Sequence, residues 1–243
     1  MITGIIPTLN EESNIKEAIA SLSFADEIIV IDSFSKDQTV SICKEENVTL
    51  IQRKFDDFSS QKNFAIKQAS HNWVFILDAD ERISKALAAD IKNAIKNPDN
   101  FVAYGVYRTF YCNNQKIKYG GWQTDKVIRL FRKDKCSYDG KLVHERMKCK
   151  GEIGILEHRM DHYSFQNERQ YREKLMFYAS LQAKEIKQSG KNTYLIHQLV
   201  KPAFRFVVLY IIRCGFLDGK NGFVLAKLHA SAVLQRYLLV DKM

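Results

Sequence analysis

The chain has 243 residues, of which 46% are hydrophobic, with 3 prolines and 11 glycines. This composition excludes a disordered or collagen-like chain and fits one large domain, or one domain with an appended helical piece. The formal net charge of +9 indicates a negatively charged partner, such as nucleic acid, an anionic membrane or a phosphorylated substrate. A merely solvated basic surface is the plain alternative.

Cysteines and apolar segments bear on where the protein works. The 5 cysteines include no C-x-x-C pair, which favours a reducing compartment over a disulfide framework or a zinc site. The first residues lack the basic region and long apolar core of a signal peptide. The longest apolar stretch, 204–217, is interrupted by Arg205 and Arg213 and falls short of a membrane span. We therefore expect a cytoplasmic protein.

Short β-branched runs alternate with amphipathic helical patterns in the first hundred residues. The predicted strands are 4–6, 27–32, 48–52 and 73–78, and the predicted helices are 11–22, 39–46, 59–69 and 84–96. This alternation predicts an α/β fold with a mostly parallel sheet flanked by helices. Right-handed crossovers then place the strand carboxyl ends along one edge, where such sheets bind ligands.

The pattern changes after residue 100. Aromatic and β-branched residues separated by turns, from 101 to about 152, predict a small antiparallel extension. Helices are predicted at 169–188, 194–216 and 222–239. We accordingly expect a nucleotide-binding and catalytic domain at 1–165 and a C-terminal helical segment at 166–243.

Acidic side chains follow the predicted strands. Asp78 and Asp80 come after the fourth strand, and extended backbone would project both to one side, about 6–7 Å apart at their Cα atoms. Two such carboxylates hold a divalent cation, and hard oxygen ligands select Mg²⁺ or Mn²⁺, which can bridge phosphate oxygens. The alternative is a group of acids at the N-terminus of the helix that Ser84 would cap.

Asp32 ends the second predicted strand and precedes a polar turn. Its carboxylate could accept hydrogen bonds from a ribose hydroxyl or a base N–H, or could belong to a capping turn that leads into Thr39. The chain contains neither a Walker loop nor a G-x-G-x-x-G motif. Phosphate binding would therefore depend on a metal ion and on side chains.

Three segments together resemble the family 2 glycosyltransferases. They are PTLNEE at 7–12, VIDSFSKDQT at 30–39 and LDADE at 77–81. The later VHE at 143–145 and GFLDG at 215–219 resemble the branch that builds the lipopolysaccharide inner core, described as β-1,4-glucosyltransferases. The resemblance implies a GT-A fold, a UDP-sugar donor such as UDP-glucose, and inversion at the anomeric carbon. It also implies a lipid-linked saccharide acceptor at the inner face of a bacterial cytoplasmic membrane.

The resemblance also implies site residues by motif position. The nucleotide site would be formed by Thr8, Asn10, Glu11, Asp32, Gln61, Lys62, Asn63 and Asp78. Asp80 would bind the metal directly. Phe34 stands where many members have glycine, so we expect a differently shaped turn there. The Q-x-x-R-W motif of processive synthases is absent, which favours transfer of a single sugar.

Inverting transfer needs a base that takes the proton of the attacking acceptor hydroxyl. Glu145 is the predicted base, and it resembles the base carboxylate of the family in position. His144 is predicted to orient Glu145 or to contact the acceptor or the diphosphate, and a structural histidine is the alternative. The alternative is a surface glutamate paired with Arg146 or Lys148.

Other polar and aromatic residues could complete the site. His162, close in sequence to His158, is predicted as a further metal ligand. Arg129 is predicted to contact the diphosphate; in a regular strand Arg129 and Arg132 could not both face it, because their spacing is odd. Trp122 is predicted to stack on a sugar ring.

The predicted tail helix carries Lys201, Arg205 and Arg213 within about a third of its circumference, beside a broad apolar side. A basic stripe next to apolar residues fits a helix lying in the plane of an anionic membrane surface. A core helix or a dimer interface fits the same pattern.

Two other functions compete with sugar transfer. A sugar-phosphate nucleotidyltransferase would share the fold and the metal, but it typically has a glycine-rich signature after the first strand. A non-enzymatic nucleic-acid-binding module would use the basic second half, yet no helix-turn-helix, RNP or zinc pattern is present. We therefore expect no nucleic acid partner.

Overall fold

The computed structural model describes residues 1–113, 115–140, 146–165, 168–190 and 194–242. Two compact units are formed. The first comprises Met1–Arg108 and Lys126–His162, and the second comprises Thr109–Asp125 and Tyr163–Met243. The second unit thus includes residues 109–125, which the sequence analysis assigned to the catalytic domain.

The first unit consists of a sheet flanked by helices. Its strands are β1 (Ile2–Thr8), β2 (Glu27–Asp32), β3 (Thr49–Gln52), β4 (Trp73–Ile76), β5 (Glu81–Arg82), β6 (Phe101–Cys112), β8 (Lys126–Arg132), β9 (Cys136–Tyr138), β10 (Met147–Cys149), β11 (Glu152–Ile155) and β12 (Met160–Phe165). Its helices are α1 (Ile15–Ser21), α2 (Thr39–Glu45), α3 (Phe58–Gln68) and α4 (Lys85–Lys96). Strands β6 and β12 continue into the second unit, which also contributes β7 (Gln115–Lys116).

The strand order of the main sheet is β3-β2-β1-β4-β8-β6-β12-β5, and β7 and β11 pair with β6. The first four strands are parallel, whereas β8 is antiparallel to both β4 and β6. Strands β9 and β10 form a separate antiparallel pair. The fold is therefore the α/β arrangement with an antiparallel extension that the sequence predicted, and Thr8 and Asp32 end neighbouring strands in register.

Alternate residues of the parallel strands pack on opposite faces of the sheet, as the two-residue period of a strand requires. On one face Ile5 and Ile76 pack with Ala65 and Ile66 of α3. On the other face Ile6, Val30 and Phe75 pack with residues of α1 and α4. The strands are nearly all apolar because both faces are covered. This packing holds the polar strand ends at a fixed edge.

The second unit is mainly helical. It contains α5 (Glu168–Gln188), α6 (Leu195–Val207), a π-helical turn (Val208–Ile212), a 3₁₀ turn (Gly215–Asp218) and α7 (Gly219–Lys242), with a further 3₁₀ turn at Trp122–Thr124. Its core combines Phe110 and Ile117 with Tyr171 of α5 and Leu225 and Leu228 of α7. The β-rich insertion 109–125 is thus part of the helical core.

The GFLDG segment shapes this unit. The carboxylate of Asp218 accepts hydrogen bonds from the backbone N–H groups of Lys118, at 3.0 Å, and Tyr119, at 2.9 Å. A Cβ at Gly222 would lie 1.8 Å from the carbonyl oxygen of Gly215, so glycine is required where α7 meets the 3₁₀ turn. In this structure the segment therefore joins the insertion to the helices.

Helix α6 exposes its apolar side. Two helical stretches, Leu195–Ile212 and Gly215–Lys242, are long and apolar enough to cross a membrane. The buried share is 6% for the first stretch and 33% for an apolar 18-residue window of the second. The first begins well before the stretch 204–217 that looked too short in the sequence. We define the apolar face of α6 as the exposed large apolar residues of this helix and of the π-helical turn: Leu195, Ile196, Leu199, Val200, Phe204, Val207, Ile211 and Ile212.

The predicted basic stripe does not form a free surface of its own. The ammonium group of Lys201 lies 2.8 Å from the hydroxyl oxygen of Tyr237 in α7 and 4.8 Å from its ring centroid. Arg205 is half-buried. The polar side of α6 therefore faces α7, and the apolar side faces outward.

Candidate active site

The loop after β4 carries three acidic side chains, those of Asp78, Asp80 and Glu81. Strand β4 ends at Ile76, and the chain then turns so that Glu81 N–H donates to the carbonyl oxygen of Asp78 at 2.9 Å. The extended geometry assumed for Asp78 and Asp80 therefore does not apply. Their carboxylates have different partners, because the turn directs Asp78 towards Arg129 and Asp80 towards His162.

Asp78 is surrounded by cations. Its carboxylate accepts a hydrogen bond from Nη2 of Arg129, and Nζ of Lys62 lies 3.8 Å from its Oδ1. Burial would raise the pKa of Asp78, but attraction by Arg129 and then by Lys62 outweighs burial and holds that pKa well below its ordinary value. Asp78 is thus ionised at neutral pH and lies between two cations.

Glu81 was not identified from the sequence as a site residue. It is fully buried, and its Oε1 accepts hydrogen bonds from Arg129 at 2.6 Å and from Arg108 at 3.0 Å. Its Oε2 accepts the backbone N–H of Asp78 at 3.0 Å. One buried carboxylate therefore positions two arginines and the start of the acidic loop. The only signal in the sequence was a third acid directly after Asp80.

A β-bulge presents Arg129 to these carboxylates. The register between β6 and β8 passes from Tyr104↔Leu130 to Gly105↔Ile128 and so skips Arg129. Bulges bend a strand and redirect side chains, and they are frequent beside active sites. Arg132, by contrast, pairs with Asp134 at 3.1 Å. The Nε of Arg129 is buried and has no hydrogen-bond partner among the residues that the structure describes.

Asp80 and His162 form the second half of the site. His162 lies opposite Glu81 in the β5–β12 pair, so the antiparallel pairing brings it beside the acidic loop. Its Nε2 is 3.4 Å from Oδ2 of Asp80, and both side chains are about one-tenth exposed. Two ligands of one cation, each about 2.0–2.2 Å from it, lie roughly 3 Å apart when they bind at right angles. The two side chains therefore fit a shared divalent cation.

Asp32 is buried at the end of β2, and its carboxylate is engaged within the protein. It accepts hydrogen bonds from the Ser35 N–H at 3.0 Å and from Nε2 of Gln52 at 3.0 Å. Asn10 completes this loop, because its Oδ1 accepts the Lys36 N–H at 2.8 Å. Asp32 therefore stabilises the turn that follows β2, whereas Asp37 is the residue that bonds to the N–H of Thr39 at the start of α2, at 3.0 Å.

The turn after β2 contains a strained residue. Phe34 has a φ of 63°, in the left-handed region that glycine adopts without cost, and its side chain is 53% exposed. Residue 34 therefore has a backbone conformation that glycine would adopt more easily than phenylalanine.

The remaining residues assigned to the nucleotide have varied surroundings. Thr8 is buried at the end of β1, and its Oγ1 has no hydrogen-bond partner among the described residues. Glu11 accepts a hydrogen bond from Asn14 at 2.8 Å. Gln61 donates to Ser33 Oγ at 3.1 Å. Asn63 exchanges two hydrogen bonds with the backbone of Tyr138, at 3.2 and 3.0 Å, so its amide is held by β9.

The remaining candidates have other surroundings or lie outside the described residues. His144 and Glu145 lie outside the described residues. Trp122 belongs to the second unit, where its ring stacks on Phe110 at a centroid distance of 4.7 Å. His158 pairs with Asp90 at 3.0 Å, and Glu157 lies near both, in an exposed group. Ser84 caps α4 by accepting the Leu87 N–H at 3.1 Å, so Asp78 and Asp80 are not needed as caps.

The chain is similar in sequence to known glycosyltransferases. The sequence model of the family described as "Glycosyl transferase family 2" matches residues 3–151. An uncharacterized glycosyltransferase of Rickettsia felis is 30% identical over 100% of this chain and 89% of its own length. The lipopolysaccharide core biosynthesis glycosyltransferase LpsC of Rhizobium meliloti is 28% identical over 98% of this chain and 93% of its own.

Solved structures resemble part of the chain. Glucosyl-3-phosphoglycerate synthase from Mycobacterium tuberculosis, in complex with Mn²⁺ and UDP, aligns with a TM-score of 0.40 and 18% identity. The alignment covers 46% of this chain and 44% of the synthase.

Proposed function

We propose, since the chain belongs to glycosyl transferase family 2, that it transfers one glucose from UDP-glucose, with inversion, to a saccharide acceptor attached to a lipid. The observation that carries this proposal is the pairing of Asp80 with His162 beside the Asp78, Arg129 and Lys62 group. A GT-A fold and a glycosyltransferase activity follow from the family. The donor, the stereochemistry and the acceptor are our proposal.

Asp80 and His162 would hold the divalent cation. A carboxylate suits Mg²⁺ and Mn²⁺ equally, whereas an imidazole nitrogen suits transition metals better than Mg²⁺. The pair therefore favours Mn²⁺. When bound, the cation supplies Lewis-acid stabilisation of the departing diphosphate.

Cationic side chains of the first unit would assist the leaving group. Lys62 and Arg129 carry positive charge next to Asp78, and the buried Glu81 fixes the orientation of Arg129. Preorganised charges of this kind stabilise developing negative charge without reorganisation during the reaction. In this proposal Asp78 holds the two cations in place and contacts the nucleotide.

Glu145 would act as the base that takes the acceptor proton. This assignment rests on its position in the sequence, which resembles the base carboxylate of the family. A carboxylate in this role must come within hydrogen-bond distance of the acceptor hydroxyl.

A lipid-linked acceptor requires the enzyme to reach a membrane, and the apolar face of α6 is the surface that fits a bilayer. Residues 195–217 contain no acidic residue, and Arg213, which follows the exposed Ile211 and Ile212, is itself exposed. Phe223 of α7 is 45% exposed, and its ring centroid lies 5.8 Å from that of Phe206 in α6. The apolar surface therefore continues from α6 onto α7. Apolar side chains bordered by cations match an anionic lipid surface. The name of the LpsC relative, which refers to lipopolysaccharide core biosynthesis, supports such an acceptor.

The membrane prediction concerns three exposed residues of this face, Leu199, Phe204 and Ile211. Their joint replacement by serine should weaken binding to anionic liposomes at least about 10-fold, because a fully buried large apolar side chain contributes ~1.5–3 kcal/mol. Co-sedimentation with liposomes measures the effect. Hydrolysis of a soluble donor should not change.

The matched control replaces Ile153 and Ile155, exposed residues of β11 in the first unit, by serine. This variant should bind liposomes like the parent chain. If the parent does not bind anionic liposomes, or if the α6 variant only changes the oligomeric state, the apolar face is a contact between copies of the chain instead.

A titration separates sugar transfer from nucleic-acid binding. UDP with Mn²⁺ should change the tryptophan fluorescence saturably, while RNA at physiological salt should not. The reverse result would favour the nucleic-acid-binding module. The products then distinguish the two enzyme classes. A glycosyltransferase would release free sugar from UDP-glucose, whereas a nucleotidyltransferase would form UTP from UDP-glucose and diphosphate.

A further inference from the structure

Helices α6 and α7 run antiparallel in the second unit, and their contacts fix which residues lie opposite each other. Lys201 contacts Tyr237 at one end, and Phe206 contacts Phe223 further along, at a ring distance of 5.8 Å. Arg205 lies between these contacts on α6. It therefore lies beside the stretch of α7 between Phe223 and Tyr237, which contains His229 and Arg236.

The π-helical turn brings a third arginine to the same side. Residues eight apart in a regular α-helix differ by about 80° around the axis, so Arg205 and Arg213 would diverge. The π turn, in which Arg213 N–H donates to the carbonyl oxygen of Val208 at 2.9 Å, takes more residues per revolution and reduces that difference. The Arg213 side chain packs on Gly121, where a Cβ would lie 2.2 Å from its Nη1.

The group around these arginines is aromatic and neutral. The hydroxyl oxygen of Tyr171 and Nε2 of His229 are 2.8 Å apart, and the Trp122 ring lies 5.0 Å from the His229 ring. Burial, followed by the charge of Arg205, lowers the pKa of His229 to about 3, so this histidine is uncharged at neutral pH. It does not add positive charge, and it offers one N–H donor and one acceptor.

The three arginines have no acidic partner among the residues that the structure describes. Within the part of the chain that the structure describes, none of Arg205, Arg213 and Arg236 forms an ion pair with a carboxylate, and the buried Nε of Arg236 has no hydrogen-bond partner. Burial, and then repulsion by Arg213 and Arg236, lowers the pKa of Arg205. Holding unpaired guanidinium groups together and partly out of water is costly, and a bound anion removes that cost.

From this arrangement we infer that Arg205, Arg213 and Arg236 form a binding site for a phosphate group, separate from the donor site. Planar guanidinium groups bind phosphate oxygens in pairs, and three of them match a phosphate monoester or diphosphate. Resting on the proposed function, the ligand would be a phosphate borne by the lipid-linked acceptor. The site would then hold the acceptor while the first unit binds the donor.

The test measures unfolding temperature in phosphate-free buffer with EDTA, on the full chain, with inorganic pyrophosphate as the probe. The parent chain should be stabilised by several degrees. Arg205→Gln and Arg236→Gln should each reduce pyrophosphate affinity about 10- to 100-fold. Without the probe these variants should unfold no earlier than the parent, because they remove uncompensated charge; a purely structural arginine would give the opposite result.

Two controls separate this site from others. Arg169→Gln removes an 88% exposed arginine that pairs with Glu173 in the same unit, and it should respond to pyrophosphate like the parent. Asp80→Asn should also keep the response to pyrophosphate. A lost response in this variant would show that the probe binds at the donor site instead of at the arginines. Donor hydrolysis, measured in parallel with Mn²⁺, should persist in the Arg205 and Arg236 variants, so failure of this site and failure of the proposed function are distinguishable.

A second arm uses vesicles of phosphatidylcholine with or without phosphatidic acid, which presents a phosphate monoester at the surface. Weaker binding of the Arg205 and Arg236 variants to phosphatidic acid vesicles would identify a lipid headgroup as the source of the phosphate, and an effect on pyrophosphate alone would identify a soluble or saccharide phosphate. Arg213→Gln, at an exposed position, serves if the other variants fail to fold. Unchanged binding of both probes in the variants, or no binding by the parent, would overturn the inference.

Discussion

Replacement of Asp80 by asparagine should reduce sugar transfer by at least about 10²-fold and remove the dependence of UDP binding on Mn²⁺. Asparagine keeps the volume of a side chain that is only about one-tenth exposed, so the fold should be retained. The charge that would hold the cation beside His162 is lost. Turnover with UDP-glucose and calorimetric titration of UDP with and without Mn²⁺ measure the two effects.

Asp134→Asn is the matched control for this variant. Asp134 is an exposed aspartate of the same unit that pairs with Arg132 at 3.1 Å. Its replacement should leave turnover and metal dependence unchanged. Near-normal transfer by the Asp80 variant would show that the metal assignment is wrong.

The second large effect is expected at Glu145. Glu145→Gln keeps the shape of the side chain and removes its basicity, so transfer should fall about 10²- to 10⁴-fold. Donor affinity should be nearly unchanged, because the base acts on the acceptor hydroxyl. Single-turnover kinetics with the acceptor and titration with UDP separate the two quantities.

Glu152→Gln, at an exposed position of β11, provides the control and should behave like the parent chain. If the Glu145 variant loses donor binding and transfer in equal measure, Glu145 belongs to the nucleotide site or to the fold. If it loses neither, it is the surface glutamate of the alternative interpretation.

The parallel core of the fold could be predicted because its signal is local. Strands such as β2 and β4 are buried on both faces, so they are continuous apolar runs that end in acids at one edge of the sheet. The antiparallel extension was visible as a change of composition. The inclusion of 109–125 in the helical unit was not, because it depends on contacts such as those of Phe110 with Tyr171 and Leu225.

The sequence indicated which residues could belong to the site better than it indicated which of them contact each other. The link between Asp80 and His162 was one option among several, since it depends on the pairing of β12 with β5. The ring of contacts among Asp78, Arg129 and Glu81 was not predicted. It depends on a turn after Ile76 and on a bulge at Arg129, and both break the regular geometry on which periodicity arguments rest.

The tail helix shows the same limit. Periodicity located a basic sector and an apolar side on α6, but it could not tell which side packs on the protein. The contact of Lys201 with Tyr237 and the exposure of Phe204 determine that the basic side faces α7. The arginine site and the apolar face both follow from that orientation.

A metal-dependent UDP-sugar site is tested most directly by a hydrolysis screen. The purified chain is incubated with UDP-, GDP-, ADP- or CDP-glucose in the presence of Mn²⁺, Mg²⁺ or EDTA. Slow release of sugar from the donor reports the donor site without requiring the acceptor. We expect release from UDP-glucose with Mn²⁺, less with Mg²⁺ because of the imidazole ligand, and none with EDTA. Release that EDTA does not affect, or no release from any of the four donors together with no Mn²⁺-dependent binding of UDP, would contradict a metal-dependent UDP-sugar site at Asp80 and His162.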